Sequence, residues 1–317
     1  MKVLIFGASG QTGSYLSEHF IAQGASVYNA SRTRGLFTPA ASKFVPFDAF
    51  DENDVLALLT RLKPDVVINL LSMSSVYECS KNPEASKHLN TNFVLNLINA
   101  ISRYEQDLGL PIKFLQASSS EMYSGYPPET LISESTSLKP LTVYGEHKSI
   151  AHLATLERNK TTGNAQAVIL FNHESPRRSQ GFVSQKITNG LVDMKYKHAE
   201  KISLGNIHSR RDWGYAEDYA LGILKLVQDQ NLESVVLASG ELHSVNEFIL
   251  EGAEYLEIDD IERRIEIDPN LLRKKENDGL IGDSSRAKQY LQWTRTKTFR
   301  DLVHLMIDSE TERQRIG

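Results

Sequence analysis

The chain has 317 residues, 40% of them hydrophobic and 24% charged, the make-up of a globular enzyme of one large or two closely joined domains. A net charge of −5 speaks against a nucleic-acid-binding surface, Cys79 as the single cysteine excludes an intrachain disulfide or thiolate cluster, and nine scattered histidines show no metal-ligand spacing. No run approaches the roughly 18 apolar residues of a membrane span, and the first residues pass directly into a glycine turn, so a cytoplasmic protein with no membrane partner is expected.

Residues 2–6 are a short apolar run followed by Gly7-Ala8-Ser9-Gly10-Gln11-Thr12-Gly13 and an amphipathic helical pattern over residues 14–23. Strand, glycine turn and helix open a dinucleotide site: the glycines let the backbone approach a pyrophosphate, which then rests on the positive helix N-terminus. A second strand at 26–30 runs into Ser31-Arg32-Thr33-Arg34, with no acidic residue to bind a ribose 2′-hydroxyl. An Arg there suits a 2′-phosphate, so NADP is favoured over NAD, the alternative being that Arg32 and Arg34 are surface charges. A third strand is expected at 45–48, a helix at 52–62, a strand at 66–71 and a helix at 90–103. Strands and helices alternating in this way predict an α/β fold with a doubly wound parallel sheet.

Residues 112–115 read as a buried strand whose end places Ser119 and Glu121 at the carboxyl edge of the sheet, where ligands of open α/β sheets bind. After Pro140 a helical pattern spans 144–156, putting Tyr144 and Lys148 four apart on one face. An ammonium beside a phenol is expected to lower the tyrosine pKa from about 10 toward neutrality, so that it can take a proton from an alcohol. A second such pair, Tyr77 and Lys81, follows a polar loop and reads as a solvated helical contact. Further on, 167–170 is a sixth strand, 171–178 is too polar to continue as one, and 204–215 reads as a loop or hairpin with a structural tryptophan. Residues 234–238 add another strand, 246–255 and 299–308 have core-facing helical patterns, Trp293 reads as packing, and the tail from Glu310 to Gly317 is expected to fray.

Ser119, Tyr144 and Lys148 resemble the site of the short-chain dehydrogenase/reductase superfamily, and the glycine spacing resembles its extended branch. More specifically, Phe171-Asn-His-Glu-Ser-Pro-Arg-Arg178, Phe182-Val183, Lys186-Ile187, Leu204-Gly-Asn206, Arg211-Asp-Trp-Gly214, Ser120-Glu121-Met122-Tyr123 and His243-Ser244-Val245 resemble GDP-mannose 4,6-dehydratases from Met1 to about Met306. This resemblance implies a Rossmann-like domain over 1–170, completed by about 215–240, and a smaller C-terminal substrate lobe from 171–214 and 241–317. It implies that Tyr144, with Lys148, takes the proton of a sugar 4-hydroxyl as hydride leaves C4 for NADP. Ser119 bonds the same oxygen, and Glu121 removes the C5 proton and helps water leave C6 before hydride returns there. Gly7, Gly10, Gln11, Thr12, Gly13, Arg32, Asp48, Leu70, Ser72, His173 and Arg178, with Tyr144 and Lys148, would hold the cofactor. Asn172, Val183, Lys186, Leu204, Gly205, Arg211, Arg273 and Glu276 would hold the GDP moiety, whose phosphates need fixed cations. Of Arg177, Arg178 and Arg210, at least one is expected to be structural or solvated.

The chain departs from the family at Ser119 for Thr, Thr142-Val143 for Ser-Pro, Gln185 for Arg, and Lys274-Lys275 for Pro-Thr. These changes touch substrate fit more than chemistry, so a modified GDP-sugar such as a GDP-manno-heptose is an alternative substrate. A GDP-sugar 4-reductase or epimerase is the alternative reaction, and a silent nucleotide-binding protein the alternative class. The expected assembly is a homodimer; the loop between Arg34 and Lys43, where family members meet neighbouring subunits, is shorter here and leaves a tetramer open.

Overall fold

A computed structural model describes residues 1–50, 55–272 and 279–316. The chain begins with β1 (Lys2–Phe6), α1 (Gln11–Ala22), β2 (Ser26–Ser31), β3 (Lys43–Pro46), α2 (Val55–Leu62) and β4 (Val66–Asn69). It continues through α3 (Val76–Lys81), α4 (Pro83–Lys87), a π turn at His88–Asn92, α5 (Phe93–Leu108), β5 (Lys113–Ser119) and a 3-10 turn at Ser120–Tyr123. After the short β6 (Leu131–Ile132) come α6 (Val143–Thr162), β7 (Ala165–Leu170), β8 (Asn172–Glu174), α7 (Val183–Tyr196), β9 (Ile202–Leu204), β10 (Arg210–Tyr215) and α8 (Ala216–Gln228). The last elements are β11 (Ser234–Leu237), β12 (Leu242–Ser244), α9 (Val245–Tyr255), β13 (Ile265–Ile267), β14 (Ile281–Gly282), α10 (Ser285–Leu291) and α11 (Phe299–Ile316).

Seven parallel strands form one sheet in the order β3-β2-β1-β4-β5-β7-β11. Alternate residues of β1 face opposite sides: Val3 and Ile5 pack with Leu16 and Phe20 of α1, while Leu4 and Phe6 pack with Leu59, Phe93 and Leu97. That is the pattern of a sheet covered by helices on both faces, and it explains why its strands read as continuous apolar runs. The strand order reverses between β1 and β4, which opens a crevice above their carboxyl ends. Outer edge strand β11 is sealed rather than open. The Val236 N–H donates to Glu134 Oε1 at 2.7 Å, and Arg286 donates to the Ser234 carbonyl at 3.4 Å.

The smaller part of the molecule is built from β8, β9, β10, β12 and β13 with α7, α9 and α11. β10 pairs in parallel with β8 and antiparallel with β12. Its core is continuous with that of the sheet, running from Val3 and Leu16 through Leu191, Trp213 and Phe248 to Val303 and Ile307.

Several expectations change. Residues 172–174 form a strand despite their polarity, because β10 supplies the partner, with Trp213 opposite Asn172. Residues 210–215 are likewise a strand between two neighbours rather than a loop. The helix expected at 90–103 starts with the π turn and runs to Leu108. Up to Ile316 the tail is helical rather than frayed: α11 continues to that residue, with Glu310 buried, Arg313 donating to the Pro176 carbonyl and Gln314 to Asp193. Trp293 packs as expected and donates its indole N–H to the Asp218 carbonyl at 2.7 Å. Among the described residues, no helix is long and apolar enough to cross a membrane.

Candidate active site

The glycine turn is built for close approach. Gly7 has φ +78°, and a Cβ there would lie 2.7 Å from the Leu71 nitrogen on the neighbouring strand end; a Cβ on Gly13 would lie 2.7 Å from the Ala8 Cα. The α1 N-terminus is capped by Gly10 with no side-chain bond and has no acid in its first turn. Its N–H groups are therefore available to an anion at the crevice between β1 and β4, which fits a dinucleotide pyrophosphate.

The other expected cofactor residues fall into two groups. Leu70 and Ser72 are half-buried at the end of β4, and Ser72 donates to Asn90 Oδ1 at 2.8 Å. Arg32 is exposed just past β2, as is Arg34, and neither has an ion pair among the described residues. Asp48 lies half-buried past β3 and accepts the Phe50 N–H. By contrast, Gln11, Thr12, His173 and Arg178 spend their side chains on one another's segments. Gln11 donates to the His173 carbonyl and accepts from Ser175, while His173 bonds Thr12 Oγ1 at 2.9 Å through Nε2 and the Phe171 carbonyl through Nδ1. The Phe171 carbonyl can only accept, so Nδ1 carries the proton and Nε2 accepts from Thr12. Burial holds the His173 pKa at about 4, and the ring stacks on Tyr219. Arg178 pairs with buried Glu174 at 3.0 Å and lies over the Phe182 ring. Arg177 is structural as well, set over the Tyr15 ring and paired with Glu18. These contacts clamp the polar segment after β7 onto α1.

At the sheet edge, β5 delivers Ser119 and the following 3-10 turn delivers Glu121. Ser119 Oγ accepts the Glu121 N–H at 3.3 Å. α6 carries Tyr144 and Lys148, both buried. Burial pushes the Tyr144 pKa up to about 12, against the opposing pull of the neighbouring Ser72 and Ser119 hydroxyls. Burial also brings Lys148 from 10.5 down to about 8, and its ammonium donates to the Ala117 carbonyl. This corrects the expectation that the lysine brings the phenol toward neutrality: in the protein's own field desolvation dominates both groups. Tyr77 and Lys81, by contrast, form the surface contact expected of them, with Tyr77 exposed and the ammonium 4.2 Å from its ring centroid.

Glu121 and Ser120 share a cleft with Phe171, Asn172, Arg211, Asp212, Gly279 and Leu280. The expected base thus lies across one cavity from two expected substrate residues, carried by β8 and β10. Val183 and Lys186 are exposed on the first turns of α7. Leu204 is different: its side chain is buried in the core and its carbonyl accepts from Asp268 N, so it turns no side chain to a ligand. A Cβ on the adjacent Gly205 would lie 2.7 Å from the Leu271 carbonyl oxygen. Arg210 pairs with Glu129. Arg273 and Glu276 lie outside the described residues.

Sequence reasoning missed Thr142, which caps α6 and bonds Glu121, and Asn90, whose amide joins Ser72, Met73 and Ser86. A threonine before a helical pattern signals a cap, which could have found the first. Nothing local marks the second.

A sequence profile of the family described as GDP-mannose 4,6 dehydratase matches residues 4–306. GDP-mannose 4,6 dehydratase 1 of Arabidopsis thaliana is 34% identical over 325 residues, covering 98% of this chain and 89% of the relative. Among solved structures, the UDP-glucose 4-epimerase of Thermotoga maritima with UDP-glucose aligns over 100% of both chains at TM-score 0.85 and 19% identity. The dTDP-glucose 4,6-dehydratase of Bacillus anthracis in complex with NAD covers 99% of this chain and 98% of its own at TM-score 0.83 and 16% identity. At such identities these two structures speak to the fold alone, and they share its Rossmann-like α/β architecture.

Proposed function

The chain belongs to the GDP-mannose 4,6-dehydratase family, and from that premise we propose that Ser119, Glu121, Tyr144 and Lys148 convert a GDP-mannose-type sugar to its 4-keto-6-deoxy derivative in one site. The observation that carries the assignment of roles is the shared cleft of Glu121, Asn172 and Arg211 beside the buried Tyr144 and Lys148. A reductase or epimerase uses the tyrosine and lysine but needs no carboxylate at C5.

Gly7, Gly10 and Gly13 would hold a nicotinamide dinucleotide, which would supply the acceptor for the C4 hydride and its donor at C6. Tyr144 takes the 4-hydroxyl proton, and Ser119 donates to the same oxygen. The resulting ketone acidifies C5–H. Glu121 removes that proton; the C–H electron pair enters the C5–C6 bond as C6–O breaks, and Glu121 gives the proton to the departing hydroxide as water. With hydride added at C6, C5 takes back a proton, which balances the one that Tyr144 took from the 4-hydroxyl. Lys148 holds charge beneath the tyrosine. Asn172 and Arg211 anchor the nucleotide sugar, the Arg by its donor fork, and Val183 and Lys186 at the start of α7 hold the GDP moiety, with Lys186 as a cation for its phosphates. The lobe of residues 171–214 and 241–317 is thereby assigned to the GDP-sugar.

The cofactor is NADP in this reading, because Arg32 and Arg34 are exposed at the end of β2 without ion pairs among the described residues. One charge-assisted contact to a 2′-phosphate is worth about 1.5–3 kcal/mol, so Arg32→Ala should raise the KM for NADP about 10- to 100-fold and leave that for NAD unchanged.

The reading is tested by following GDP-mannose by mass spectrometry with the purified protein and catalytic NADP. Loss of one water with no net reduced cofactor is expected; unchanged GDP-mannose, in a protein that binds NADP, would move the reading to another GDP-sugar or to a reductase or epimerase.

A further inference from the structure

The carboxylate of Glu121 receives one side-chain hydrogen bond among the described residues, from Thr142 Oγ1 to Oε2 at 3.4 Å. Thr142 is also the N-cap of α6, the helix that carries Tyr144 and Lys148, and its Oγ1 accepts the Gly145 N–H at 3.0 Å. The two contacts are linked. A backbone N–H can only donate, so the hydroxyl must accept there, and its own hydrogen is left for the carboxylate.

The backbone around this pair is keyed together. A Cβ on Gly145 would collide with the Glu121 carbonyl oxygen and lie 3.1 Å from Thr142 Oγ1, so the first turn of α6 seats directly on the turn bearing Glu121. On the other side, Ser119 Oγ accepts the Glu121 N–H. With main chain and Oε2 both held, Oε1 is the oxygen left to the cleft it shares with Asn172 and Arg211. The 3.4 Å separation is long for a hydrogen bond between oxygens.

We propose that Thr142 is a positioning residue for the elimination half of the reaction: its hydroxyl, oriented by the helix cap, holds one Glu121 oxygen so that the other addresses C5 and then the C6 hydroxyl. This rests on the reading of Glu121 as the base at C5. Oxidation at C4 uses Tyr144 and Ser119 and does not need the carboxylate aimed, so loss of the Thr142 hydrogen slows one half-reaction and spares the other.

Three substitutions separate donation from capping. Thr142→Ser keeps both, Thr142→Asp caps the helix but has no hydrogen to give, and Thr142→Val has neither. In single turnovers with GDP-mannose, the near-ultraviolet absorbance of the reduced cofactor reports C4 oxidation and mass spectrometry reports water loss. The Ser variant should behave as the parent. The Asp and Val variants should oxidise C4 within a few-fold of the parent rate, accumulate reduced cofactor, and lose water about 10- to 100-fold more slowly with KM little changed, the cost of a misplaced group. If the Asp variant dehydrates as fast as the Ser variant, or if both half-reactions fall together, Thr142 is a helix cap and the proposal is overturned. Glu121→Gln is the control: dehydration at the parent rate would remove the base itself, whereas a dead Gln variant beside unaffected Thr142 variants would remove only the role of Thr142.

Discussion

The role proposed for Lys148 comes at some expense to the fold. Its pKa falls from 10.5 to about 8 because its ammonium is desolvated, so the unfolded chain holds this proton more tightly than the folded one. Below pH 8 the penalty is present in full, and it is relieved as pH rises from 8 toward 10.5. Lys148→Met, which keeps the shape of the stem, is therefore expected to stabilise the protein at neutral pH by about 1–3 kcal/mol in denaturant melts while lowering turnover about 10²- to 10⁴-fold. His152 and His173 act at the acid end. Both are held near 4 from 6.5, chiefly by burial, so they resist protons that the unfolded chain accepts. Stability should drop as pH falls from 6.5 to 4, by up to about 3 kcal/mol for each, and His152→Gln should flatten its share of that slope. The placement of Ser119 and Glu121 at one strand end, and of Tyr144 and Lys148 on one helix, was legible because each pair is local in sequence. Their ionisation was not, since desolvation depends on what the rest of the chain lays over them.

At the scale of elements, the strand that carries Arg211 is riveted by its next residue. Asp212 is buried and accepts from Ser239 N, Ser239 Oγ, Gly240 N and Gly282 N, tying β10 to the segment after β11 and to β14. Burial pushes its carboxyl up, and these four donors work against that. Asp212→Asn turns an amide N–H₂ toward N–H donors that can only donate. It should destabilise by about 1–3 kcal/mol and raise the KM for the sugar nucleotide, with cofactor affinity by titration unchanged. The glycine turn, the β-α alternation and the helix of Tyr144 were legible because periodicity and glycine placement are properties of short windows. β8 and β10 were not, because a three-residue polar strand exists only through a partner some forty positions away. The π turn at His88–Asn92 hides for the same reason: its Thr91 bonds the His147 carbonyl on α6, a contact no local pattern announces.

Across the whole molecule, one core joins the sheet to the smaller lobe, from Val3 to Ile307, so the two parts should not melt separately. A single calorimetric transition is expected, and a nicotinamide dinucleotide at a hundredfold excess over its Kd should add about 2.7 kcal/mol to the stability of both parts together. The strand order was foreseeable in outline, since right-handed crossovers leave few ways to wind alternating strands and helices. The ordered tail was not: Glu310 is buried because Gln185 and Arg313 bond it, and a charged, apolar-poor segment gives no hint of such partners. The sealed rim of the sheet has a further consequence, for how copies of the chain behave at high concentration. β11 is Ser-Val-Val-Leu, an uncharged and strongly strand-forming stretch, and bare it would be a template on which another molecule could stack. Glu134 Oε1 occupies the Val236 N–H that an incoming chain would need. Glu134 thereby closes that position to an incoming chain. Glu134→Val should leave turnover intact in dilute solution and shorten the lag before light scattering rises in concentrated, warmed samples.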